Sequence, residues 1–282
     1  MPSGEPSVGS GNRAKAVAVA AVATVTVTVG VTASLLLDGG GNAAAPAGPS
    51  PGPTASASAS ASASASTGPR AGAAERPVIP GWKVVVDPEF GTAFDVPPEW
   101  DVKPPSLQYG FLDGERDTDG PAALGDFVSV VSGFASLRED WCVPDIDANG
   151  RVVSTELAGA GTKGAKGAED TGHAAVNSAA VWVYGGYTQP DKKSIISDKT
   201  AKPYTTRSGL KGSIARARSE NAPRKNRCST DGKAIAFAFK NSAGGYVAWI
   251  LYGATGVRDE LPDPTVMKIV STVRLHGEPG KP

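Results

Sequence analysis

The chain has 282 residues, with 28 basic and 28 acidic side chains, a formal net charge of zero and a pI of about 6.7. That balance argues against nucleic acid as a partner, because such binding rests on neutralising phosphates. Two cysteines, Cys142 and Cys228, without Cys-x-x-Cys spacing exclude a cysteine metal site and a dithiol redox motif. In an oxidising compartment they form one disulfide.

Residues 1–13 are a short polar tail, expected to be cytoplasmic. The stretch Ala16 to Leu37 reads AVAVAAVATVTVTVGVTASLLL, 22 residues without a charge. As a helix it spans about 33 Å, enough for the hydrocarbon core of a bilayer. Its Val and Thr content favours a strand in water, but in lipid the backbone must satisfy itself, so a helix is expected over 14–37. Arg13 and Lys15 precede it and only Asp38 follows closely. The positive-inside rule then places the N-terminus in the cytoplasm and the rest of the chain outside a cell membrane, as a single-pass protein. A cleaved signal peptide ending near Ala43-Ala44-Ala45 is the competing reading, and it gives the same outside address.

Residues 38–76 are almost entirely Gly, Ala, Pro and Ser, with six consecutive Ala-Ser pairs at 55–66. A segment with so little to bury is expected to be a disordered linker, reaching roughly 35 Å as a flexible coil.

A globular composition begins at about residue 77 and runs to 276, with 277–282 expected as a loose tail. GWKVVV (81–86) and GTAFDV (91–96) read as strands joined by an Asp87-Pro88 turn, and Trp100-Asp101-Val102 resumes after Pro97-Pro98. DFVSVVSGFA (126–135) is a further β-branched strand. Over 168–187 the period becomes helical, through Gly172, Ala175, Val176, Ala179, Ala180, Val183, Tyr184 and Tyr187, with Asp170 or Thr171 as N-cap. GSIARARS (212–219) reads as a half-exposed strand. KAIAFAFK (233–240), NSAGG (241–245) and YVAWILYGA (246–254) form a hairpin, with Ile235, Phe237 and Phe239 on one face and alanines on the other. Asp263-Pro264 opens a second helix that turns Val266, Ile269, Val270 and Val273 inward. The order predicts an α+β domain, an antiparallel sheet covered by helices.

Residues 76–170 carry a net charge of −9 and residues 171–282 one of +9. The ordinary reading is that the two halves interleave in one fold and their charges mix.

The opening GWKVVVDPEFGTAFDVPPEW, with a strand pair running into Pro-x-x-Trp, resembles the PsbP-like, LpqN-like α/β/α sandwiches. So does a late hairpin before a C-terminal helix ending in Ser-Thr-Val-Arg. The whole layout, low-complexity linker and a Cys pair bracketing a helix, resembles membrane-anchored extracytoplasmic proteins of actinobacteria. The resemblance covers residues 78–275. It implies that fold, an extracytoplasmic address and a non-catalytic binding or accessory role.

The sharpest local motif is DIDANGRVVSTE, residues 145–156, which fits the calcium-loop pattern D-x-[DN]-x-[DN]-G-x5-E. Asp145, Asp147 and Asn149 would give side-chain oxygens, Arg151 its carbonyl and Glu156 both carboxylate oxygens, with Gly150 at the sharp turn. Pro144 before it and the Gly-rich LAGAGTKGAKG after it deny the loop the flanking helices of an EF-hand. The ordinary reading is an Asp/Asn/Gly surface loop beside the disulfide.

Other motifs carry less. Ser208-Gly209-Leu210-Lys211 matches Ser-x-x-Lys, but no Lys-Thr-Gly follows. His173 and His276 have no spaced partner. Trp82, Trp100, Trp141, Trp182 and Trp249 read as core and disulfide packing. The expectation is a membrane-tethered binding module of the cell envelope, with an envelope protein, wall polymer or lipid as partner and no resident cofactor. The alternatives are an envelope hydrolase and a calcium-dependent adhesion module.

Overall fold

A computed structural model describes residues 75–114, 126–144 and 154–280. The expected membrane helix, and the linker as far as residue 74, lie outside them. Among the described residues no helix is long and apolar enough to cross a membrane.

The strands are β1 (Lys83–Asp87), β2 (Thr92–Val96), β3 (Trp100–Val102), β4 (Tyr109–Leu112), β5 (Phe127–Leu137), β6 (Ala158–Gly164), β7 (Ile195–Ser197), β8 (Lys202–Thr205), β9 (Lys211–Ser219), β10 (Asp231–Lys240), β11 (Tyr246–Thr255) and β12 (Arg274–Leu275). The helices are α1 (Thr171–Val183), continued by a π-helical turn Tyr184–Thr188, and α2 (Asp263–Val270). The domain is α+β, as expected, and mostly antiparallel sheet. A nine-stranded sheet has the order β3-β5-β6-β11-β10-β9-β7, with β4 also on β5 and β8 also on β9. A small sheet has the order β1-β2-β12.

The two faces of the large sheet have different residues because they meet different partners. On one face Ala234, Ala236 and Ala238 of β10 join Ala215, Ala217 and Ala248 beneath α1. Alanine lets a helix approach a sheet closely, and α1 brings its own Ala174, Ala175 and Ala179. On the other face Ile235, Phe237 and Phe239 join Trp249 and Leu251. There the cover is the small sheet, through Val85, Phe94 and Val96, and α2, through Val266, Ile269 and Val270. Val273 is buried as expected, just past the end of α2. Trp100, Trp182 and Trp249 are fully buried, and Trp82 and Trp141 pack partly buried on the second core. In the sheet, β6 from the acidic half lies against β11 from the basic half, so the charge asymmetry does not map onto two separate layers.

One local reading needs correction, and some elements carried no sequence signal. The helix expected over 168–187 is α-helical only to Val183, because Gly185-Gly186 lets the backbone widen into the π-helical turn. Asp170 is its N-cap, accepting the His173 N–H at 2.7 Å. The Gly-rich stretch after Glu156 is β6, which pairs with β5 on one side and β11 on the other. Strands β4, β7, β8 and β12 were not expected from the sequence.

Both ends of the unit are tied into it. Arg274 donates through Nε to Glu75 at 2.7 Å and through Nη1 to the fully buried Asp95 at 2.9 Å. His276 Nδ1 contacts the other Glu75 oxygen. Asp95 also accepts the Val78 and Ile79 N–H groups. Near the C-terminus the Gly280 N–H donates to the Pro88 carbonyl at 2.7 Å.

Candidate functional site

At one end of the sheet a cleft of about 140 Å³ opens between β4, the π-helical turn and the loop that carries Cys228. Its walls follow from local constraints. Cys142 and Thr155 exchange two backbone hydrogen bonds, of 3.1 and 2.8 Å, which close the base of the segment between them. The disulfide Cys142–Cys228 holds the 226–229 turn against that base. The turn is internally braced: the Cys228 N–H donates to Asn226 Oδ1, and the Lys225 and Asn226 N–H groups donate to Ser229 Oγ. On the opposite wall Gln189 is a clamp. Its Nε2 donates to the Leu112 and Gly185 carbonyls and its Oε1 accepts the Gly114 N–H, joining β4 to the π-helical turn.

On the cleft floor lies Glu156, 8% exposed. Its Oε2 accepts the Tyr109 hydroxyl at 2.6 Å and its Oε1 the Tyr252 hydroxyl at 2.5 Å. Burial, and then the Glu156 charge, push the phenols of Tyr109, Tyr252 and Tyr187 well above the usual tyrosine range. The three therefore stay protonated, and Tyr109 and Tyr252 donate to Glu156. A ladder of rings fixes them. Tyr109 stacks on Phe134 at 4.1 Å, and Phe111 meets both Trp182 and Tyr252 edge-on. Glycines make the room: a Cβ on Gly159 would come within 2.6 Å of the Tyr252 hydroxyl, and one on Gly232 within 2.2 Å of the Tyr187 ring. The ring is too large to step aside, so Gly232→Ala should cost about 1–3 kcal/mol by overpacking, read as a fall in the urea midpoint.

Among the described residues no cation makes an ion pair with Glu156. A carboxylate has about four acceptor positions, and the two tyrosines fill two. A buried carboxyl group with acceptor positions that no other described residue fills is the unusual chemical feature of the cleft. Around it the walls offer Ser154, Thr155, Ser229, Asn226 and Lys225, with burial lowering the Lys225 ammonium.

Of the residues singled out in the calcium-loop motif, Asp145, Asp147, Asn149 and Arg151 lie outside the described residues. Glu156 is the member that the structure places, and its two oxygens are both engaged by phenols. No group of three or more His, Cys, Asp or Glu residues placed to hold a metal occurs among the described residues. The histidines lie apart from the cleft lining: His173 Nδ1 accepts the Glu169 N–H on α1, and His276 faces Glu75. Ser208 pairs with the Thr206 hydroxyl and donates to the Val273 carbonyl, neither of which is a base. The tyrosines around Glu156 come from β4, β11 and the π-helical turn. Their separation in sequence left no local motif.

Among curated proteins, none matches the chain. Of the solved structures, the Saccharomyces cerevisiae Ran-binding protein Mog1p is similar at a TM-score of 0.32 and 9% identity, over 69% of this chain and 95% of that one. A family described as "Domain of unknown function (DUF8017)" matches residues 75–278, nearly the whole described unit, and the chain belongs to that family.

Proposed function

We propose that the protein is a membrane-tethered, extracytoplasmic binding module that holds a donor-rich ligand, the hydroxyl and amino groups of a cell-wall polymer, in the Glu156 cleft. The carrying observation is the buried Glu156 carboxylate, fixed by two tyrosine donors and lacking an ion-pair partner among the described residues. A sugar hydroxyl or ammonium would fill its spare acceptor positions, and Tyr109, Phe111 and Tyr187 would offer ring faces to the sugar. The Cys142–Cys228 disulfide supports an oxidising compartment outside the cytoplasm. The uncharged run Ala16 to Leu37 supports a single-pass anchor with the N-terminus inside, and the Ala/Ser/Pro/Gly stretch would then hold the domain off the membrane. Helix α1 on one face of the large sheet, with α2 and the small sheet on the other, supports the PsbP-like α/β/α sandwich as the finer fold.

The test is a titration of the protein with soluble wall-polymer fragments, followed by amide chemical shifts. Shifts should cluster on residues 154–156, 185–189 and 225–230, and Glu156→Gln should weaken binding about tenfold or more. Shifts absent from those segments would sink the reading. Calcium at residues 145–156 is the second reading, favoured by the same uncompensated carboxylate. Calcium on both Glu156 oxygens would have to displace the Tyr109 and Tyr252 hydrogen bonds. A melting midpoint that rises with millimolar calcium, and no longer does so in Asp145→Ala, would establish it; an unchanged midpoint would remove it.

A further inference from the structure

We propose that a second groove, on the opposite face of the large sheet from Glu156, binds an acyl chain ended by a carboxylate. The groove encloses about 290 Å³ between α2 and the β7 edge of the sheet. Its position is fixed by strand register. Arg216 of β9, Ile235 of β10 and Leu251 of β11 are direct cross-strand neighbours. Ile235 and Leu251 give an apolar floor, Val266 of α2 an apolar wall, and Ile196, 39% exposed on β7, an apolar lip.

The next cross-strand pair on the same face is Arg218 and Lys233, two like charges placed directly opposite each other. Such a pair is destabilising unless neutralised. Glu220 takes Arg218 at 2.7 Å, and Glu260 and Asp263 take Lys233 at 2.8 and 2.7 Å. Arg216 is treated differently. Its backbone N–H donates to Asp198 at 2.9 Å, while its guanidinium meets the Met267 thioether at 3.0 Å. A thioether is a weak acceptor, and a guanidinium presents five donors in a fork that matches a carboxylate. Among the described residues no carboxylate makes an ion pair with this guanidinium. A charged fork at the mouth of an apolar groove selects a ligand that is anionic at one end and apolar along its length. Asp198 and Asp263 also line the rim, and Lys233 holds the Asp263 carboxyl below its usual range, so it stays ionised. A doubly charged phosphate head would be repelled there, whereas a single carboxylate matches the Arg216 fork, which has no ion-pair partner among the described residues.

Calorimetric titration of the full-length chain with octanoate, octanol and octyl phosphate tests this, using wild type, Arg216→Ala and Arg216→Lys. Arg216 is exposed, and equal melting midpoints will show that the variants fold. The expected result is saturable one-site binding of octanoate, weakened about tenfold in Arg216→Ala and partly restored in Arg216→Lys. Octanol and octyl phosphate should bind at least about tenfold more weakly than octanoate. Absence of saturable octanoate binding, or equal binding by Arg216→Ala, would overturn the proposal. Octyl phosphate binding as tightly as octanoate would overturn its choice of head group. A wall-polymer titration that fails at Glu156 leaves this result untouched, because the two sites lie on opposite faces.

Discussion

Replacing Cys142 and Cys228 together by serine should lower the unfolding free energy by about 4 kcal/mol and the melting midpoint by about 10 °C. The disulfide joins residues 86 apart, and the loop it closes contains β6, α1, β7, β8 and β9. In the unfolded chain that closure removes about 4–5 kcal/mol of conformational entropy on the chain-entropy account. The loss has little to offset it in the folded state. The turn at 226–229 keeps its internal bonds to Asn226 and Ser229, and Cys142 keeps its bridge to Thr155. What goes is the bond between those two braced pieces, leaving the Arg227 guanidinium on the Val143 carbonyl as a direct link across the gap. Urea unfolding followed by tryptophan fluorescence measures the difference, since Trp100, Trp182 and Trp249 are fully buried. A loss under about 1 kcal/mol would mean that the denatured state is already compact around this loop. The same variant should bind wall-polymer fragments more weakly, because Cys228 sets one wall of the Glu156 cleft.

The elements that could be read from the sequence are those whose two faces meet different things. The β10–β11 hairpin alternates large and small residues because one face meets α2 and the small sheet and the other meets α1, and that alternation is visible letter by letter. Asp170 and Pro264 mark helix starts by local chemistry alone. Strand β6 could not be read that way. AGAGTKG has no β-branched run, and its glycines are there for their neighbours: a Cβ on Gly161 would press on Val131 at 2.8 Å, and one on Gly159 on the Tyr252 ring. A sequence shows a glycine but not the ring above it. The surroundings of Glu156 were hidden for a related reason. Its spacing from Asp145 suggested a calcium loop, whereas its described contacts, Tyr109 and Tyr252, lie 47 and 96 positions away. Burial of a carboxylate is decided by partners that no local pattern contains.

Asp87 provides a second case and the other large effect. It closes β1, is fully buried, and packs under Gly133, where a Cβ would come within 2.5 Å of the Asp87 Cβ. The positive φ of 52° at Gly133, beside the irregular β5–β6 register, is what lets β5 pass so closely. Unlike Asp95, which has Arg274, Asp87 has no cation in ion-pair contact among the described residues. Burial raises its carboxyl from 3.8 to about 6, against the lowering pull of the Ser132 hydroxyl and of the Phe90 and Glu89 N–H groups. Below pH 4 the folded and unfolded chains both hold the proton, and the group costs nothing. As pH rises from 4 to 6 the unfolded chain releases the proton first, so stability falls; above 6 the cost levels off at roughly 3 kcal/mol. Asn in its place keeps an oxygen for the Glu89 and Phe90 N–H groups and turns an amide donor toward Ser132 Oγ. Asp87→Asn should therefore be more stable than wild type by up to about 3 kcal/mol at pH 7, with the gap closing toward pH 4. Urea midpoints of both proteins across that range give the difference directly. Two parallel profiles would show that Asp87 ionises in the fold without penalty, and that an unrecognised charge or solvent path compensates it.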